Sequence, residues 1–86
     1  MKTNMTEGQK KFYMNKAMAT YGREIENTSQ RIDGLKVIAA DAIGKKDIST
    51  LEKVNKIIKS LVAEQKTMYE ELEVIRSEYI REYGAI

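Results

Sequence analysis

MNKAMATYGREIENTSQRIDGLKVIAADA, residues 14–42, and LEKVNKIIKSLVAEQKTMYEELEVIRSEY, residues 51–79, decide the fold of this chain. In the first stretch the apolar run is Met14, Met18, Tyr21, Ile25, Thr28, Ile32, Leu35, Ala39 and Ala42. In the second it is Leu51, Val54, Ile58, Leu61, Gln65, Met68, Leu72, Ile75 and Tyr79. Steps of three and four alternate without a break, the pattern of a coiled-coil seam. When the chain is folded back between the runs, each member meets the one whose number completes a sum of 93. Ala39 then faces Val54, Leu35 faces Ile58 and Ile25 faces Met68. The one polar member of each run, Thr28 and Gln65, also falls opposite the other. The expected fold is all-α: two long antiparallel helices in a coiled-coil hairpin, assembling into a dimeric four-helix bundle or a higher oligomer.

Working outward, Thr6-Glu7-Gly8-Gln9 forms a capping box in which the Thr6 hydroxyl and the Gln9 side chain each satisfy the other's backbone N–H. It starts a helix over about 6–43. Gly44 is the expected left-handed residue past its end, with Lys45 and Lys46 favouring the negative pole of the helix. The turn covers 44–48. A second box, Ser49-Thr50-Leu51-Glu52, opens a helix over about 49–83, with Asp47 a competing cap half a turn earlier. Gly22 flanks the seam where Tyr69 should lie, either making room for the ring or standing as an ordinary surface glycine.

The 86 residues form a single helical-hairpin domain near the lower size limit for a self-sufficient core. There is no cysteine to staple it, so association is the expected source of extra burial. Proline is absent and a third of the residues are charged, which suits long helices with solvated outer faces. No apolar run reaches the ~20 residues of a membrane span, and Met1-Lys2-Thr3-Asn4 begins no signal peptide. A cytoplasmic location is expected, with leaderless secretion or virion association left open. The Lys, Ile and Asn bias points to a bacterial or phage source.

Enzymatic function is not expected. With no His and no Cys, the commonest general base and the best nucleophile are missing. The seam holds no carboxylate of the kind a bundle metal site needs, and there is no glycine-rich phosphate loop. Neither cofactor nor metal is expected. The informative residues are apolar ones off the seam. Phe12, Val62, Tyr69, Ile80 and Tyr83 fall on one side of the hairpin, Tyr13 and Val74 on the other. A contiguous apolar stripe marks a protein contact, so the first five form the expected oligomer or partner interface. Thr28 and Gln65 form the expected register-setting polar layer.

The function expected from these features is that of a small protein–protein interaction module: an adaptor, scaffold, chaperone or inhibitor that binds itself and another protein. The alternative is a nucleic-acid-binding dimer whose lysine-rich turn end (Lys45, Lys46, Lys53, Lys56 and Lys59) contacts phosphate. Arginine is scarce there and no aromatic residue is interleaved for base stacking. A leaderless secreted hairpin is a third reading. The length and helix–turn–helix layout are similar to those of secreted WXG-type hairpins. The turn, however, reads Ala42-Ile43-Gly44 without tryptophan, and the Tyr69–Glu73 spacing falls inside a helix rather than on a tail.

Overall fold

The computed structural model describes residues 6–84. They form two antiparallel helices, α1 (Glu7–Gly44) and α2 (Ile48–Tyr83), with no strand among the described residues. The hairpin is 59 Å long with a radius of gyration of 18.8 Å. A compact chain of this length would have a radius near ~12 Å, so the molecule is a thin two-helix layer.

α1 begins as its sequence dictates. The Thr6 hydroxyl accepts from the Gln9 amide and the Gln9 side chain accepts from the Thr6 amide, both at 3.1 Å. Its end departs from expectation. Gly44 is the last helical residue, and the left-handed conformation falls two positions later on Lys46, at φ 56°. The Asp47 amide donates to the Ala42 carbonyl at 2.8 Å and the Lys46 amide to Ile43 at 3.1 Å. These are the paired bonds of a Schellman turn, whose left-handed position falls just after the cap residue Lys45. The expected glycine stop therefore sits inside the final turn.

α2 likewise starts earlier than the Ser49 box. Asp47 is the cap: its carboxylate accepts from the Thr50 amide at 3.2 Å and from the Thr50 hydroxyl at 2.7 Å. Asp47 thus closes α1 through its amide and opens α2 through its side chain. That double use is what lets three residues connect two helices of 38 and 36 residues.

All eighteen seam positions are buried or half-buried. Ile25, Ile32, Ala42, Val54, Leu61, Tyr79 and Thr28 are the deepest. Side-chain bonds between the helices report the register independently. Lys10 pairs with Glu82 at 2.6 Å, the Tyr21 hydroxyl donates to Glu71, and Gln65 donates to Ser29 at 2.7 Å. Their residue numbers sum to 92, 92 and 94, against the 93 read from the seam.

Candidate interaction surface

Because heptad positions just before and just after the seam project to opposite sides, the hairpin has two flat faces. One, the Tyr69 face, carries Phe12, Val62, Tyr69 and Ile80 together with Ile43 and Ile48 beside the turn. These six side chains are between 46% and 63% exposed. Beside Tyr69 lies a shallow hollow of about 470 Å³, lined by Gly22, Ile25, Glu26, Ser29 and Leu72. A Cβ at Gly22 would meet nothing within 4 Å. Gly22 therefore makes no room for the Tyr69 ring within the hairpin; it leaves the face open to whatever lies above it.

Tyr83 departs from its expected place on the open surface. It is half-buried, its ring tilted 56° to that of Tyr79 with centroids 5.1 Å apart and the Lys11 ammonium 5.7 Å above it. Its hydroxyl is buried without a hydrogen-bonded partner among the described residues. Burial first, and the Glu7 carboxylate second, hold its pKa above the ordinary tyrosine value. The expected side stripe overlooked the last turn of α2, where the seam tyrosine and its neighbour four residues on pack together.

The opposite, Tyr13 face has two apolar hollows. Arg31, Gly34, Leu35, Ile38 and Ile57 line one of about 380 Å³ near the turn. Lys10, Tyr13, Met14, Ala17, Ile75 and Glu78 line one of about 260 Å³ near the open end. Arg76 pairs along its own helix with Glu73 at 3.5 Å. Across the seam, Glu71 accepts from the Tyr21 hydroxyl. That bond chiefly holds the Tyr21 pKa above its usual value.

The polar layer is where the seam placed it, but its two members do not bond to each other. The Thr28 hydroxyl donates to the Glu24 carbonyl of its own helix at 2.8 Å. The Gln65 amide crosses to α1, donating to the Ile25 carbonyl at 2.9 Å and to the Ser29 hydroxyl at 2.7 Å. Ser29 was the partner the sequence reading missed. The signal was its place on the flank one residue beyond Thr28, within reach of a long amide but not of another seam residue.

Lys45, Lys46, Lys53, Lys56 and Lys59 are all exposed. Lys45 is paired with Asp41 at 3.1 Å, while Lys53, Lys56 and Lys59 spread around the outer side of α2 without an aromatic residue among them. Among the described residues no cluster of acidic side chains is arranged to hold a metal, and no helix is long and apolar enough to cross a membrane.

No family model matches the chain, and neither a curated protein nor a solved structure shows significant similarity to it.

Proposed function

We propose that this chain is a protein-interaction module that binds through its Tyr69 face. Six large apolar side chains distributed along one face of a layer two helices thick carry the reading. No large side chain is completely buried among the described residues, and the chain exposes 6754 Å². A compact monomer of this mass exposes roughly 5,200 Å². Covering apolar surface contributes about 25 cal/mol per Å² before ordering costs are subtracted, and a four-helix arrangement is the simplest way for a two-helix layer to gain it. Adaptor, scaffold, chaperone and inhibitor roles all rest on such a surface.

The experiment is to change Phe12 and Ile80 to Ser together. Helicity by circular dichroism should stay nearly intact while self-association by sedimentation, or partner capture, is lost. A variant that keeps both its mass and its partner refutes the reading. Titration with DNA and RNA at rising salt tests the lysine-rich end on the same samples, because phosphate binding weakens steeply with salt.

A further inference from the structure

We infer that the Tyr13 face is a second docking surface, whose occupant is a basic amphipathic helix of another protein lying along the furrow between α1 and α2. The inference uses no residue of the Tyr69 face, and a partner on that face leaves this one outward.

Two rows of side chains, each spaced by seven residues and so sharing one side of its helix, border the furrow. On α1 the row is Lys10, Ala17, Glu24, Arg31 and Ile38; on α2 it is Ile57, Glu64, Glu71 and Glu78. The ends of both rows line the two hollows of this face, and each hollow takes walls from both helices. The half-buried seam residues Leu35, Met14 and Ile75 show their flanks there, and Ile38 and Ile57 are each 47% exposed. A third helix laid in the furrow covers all five.

Gly34 favours such an approach. It costs the interior of α1 about 1 kcal/mol relative to alanine. A Cβ there would meet nothing within 4 Å, so no contact inside the hairpin calls for a glycine. Its place is in the wall of the turn-end hollow, where it lets another backbone come close.

Charge selects the occupant. Between the hollows the rows carry three exposed carboxylates, Glu24, Glu64 and Glu71, against the one guanidinium of Arg31, a net −2. The outer positions at these levels, Thr20, Asn27, Ser60 and Thr67, are uncharged. At the open end Lys10 pairs with Glu82 at 2.6 Å and Glu78 with Arg81 at 3.6 Å. At the turn end Asp41 pairs with Lys45 at 3.1 Å, and Lys53 is basic. The acidic stretch is thus confined to the middle, with an apolar hollow on either side. A second copy presenting the same face sets one net −2 against another. Its Tyr69 face offers no complement either, since Glu26 and Asp33 balance Lys59 and Lys66 at the middle. Nucleic acid is repelled outright. The complement is a helix with Lys or Arg over its middle turns and apolar side chains about 20 residues, or about 30 Å, apart.

The probe is a labelled synthetic helical peptide of about 28 residues, long enough to span both hollows. It carries Leu where it meets the hollows and Lys on the same side of its middle turns, and is titrated into the full chain. It should bind saturably, and a peptide with Glu in place of those Lys should bind roughly tenfold more weakly. Glu24→Lys with Glu64→Lys, both at exposed positions, should reverse that preference. Ile38→Ser with Ile57→Ser should weaken the Lys peptide while circular dichroism shows helicity kept; the charge reversal decides alone if that chain unfolds. Phe12→Ser with Ile80→Ser should leave peptide binding unchanged, which separates this face from the Tyr69 reading. Equal binding of the two peptides, or binding of neither, overturns the inference. A folded Ile38→Ser/Ile57→Ser chain that loses self-association also overturns it, because the occupant is then a second copy.

Discussion

The Gln65 amide reaches across the seam to the Ser29 hydroxyl at 2.7 Å, and this diagonal contact rather than a Thr28–Gln65 pair ties the helices at their polar layer. It is local to one register, because a slip of one heptad in either direction carries Gln65 away from both Ser29 and the Ile25 carbonyl. A neutral hydrogen bond of this type contributes about 0.5–1.5 kcal/mol. Double-mutant cycles should therefore give coupling of that size between Gln65→Leu and Ser29→Ala, and close to none between Gln65→Leu and Thr28→Val. Urea unfolding of the four chains in each cycle is the measurement. Gln65→Leu with Ser29→Ala should cost less than the two single changes added together, since both partners of the bond leave at once.

Lys46 holds a left-handed conformation that a side chain occupies at a cost of about 1 kcal/mol. Lys46→Gly should therefore stabilise the hairpin by roughly 0.5–1 kcal/mol, read from the denaturation midpoint. Gly44→Ala, inside the helix with open space around a new Cβ, should also stabilise it. An unchanged or lower midpoint for both would show that the turn is built differently.

The seam and the face should respond differently to truncation. Leu61 is buried at the seam, so Leu61→Ala should cost about 2–4 kcal/mol and reduce helicity at moderate urea. Ile80→Ser should change helicity little. Circular dichroism on both chains under one set of conditions separates a structural residue from a surface one.

Stability should fall at both ends of the pH scale for identifiable reasons. The Asp47 pKa is lowered, first by the Thr50 hydroxyl and then by the Thr50 amide. Its contribution is complete above the ordinary aspartate value of 3.8 and is lost as pH falls through the lower folded value. Tyr21 is raised by its bond to Glu71, and Lys10 by its bond to Glu82. Their contributions are complete below about pH 10 and are lost as pH rises through the folded values. Asp47→Asn should flatten the acid limb alone, and Tyr21→Phe should reduce the alkaline limb alone.

Helix number, direction and register were legible in the sequence because each seam residue is fixed by a partner at a set distance along the chain. Thr28 and Gln65 carried this so clearly that their layer was placed correctly, yet their hydrogen bonds were not, since bond partners depend on side-chain reach rather than periodicity. The turn was misread at Gly44 for a related reason. Glycine marks where a left-handed residue is cheap, whereas the Asp47 amide and carboxylate, serving both helices, determine where one is required. Tyr83 looked like part of the surface stripe because heptad position places it there. Its ring is drawn over the end of the seam by Tyr79 and Lys11, contacts that no repeat encodes. The apolar face itself was legible in part: Phe12, Val62, Tyr69 and Ile80 were read from the sequence, while Ile43 and Ile48 gained meaning only once the face was seen to run the whole length.

Thermal unfolding of the wild-type chain over a hundredfold range of protein concentration tests the central claim most directly. If the Tyr69 face is covered by a second copy in the native state, dissociation accompanies unfolding and Tm must rise with concentration. The account predicts such a rise, by several degrees, and its disappearance in the Phe12→Ser/Ile80→Ser chain. A Tm that is the same at every concentration, with wild-type sedimentation at the 9.9 kDa chain mass, would contradict it.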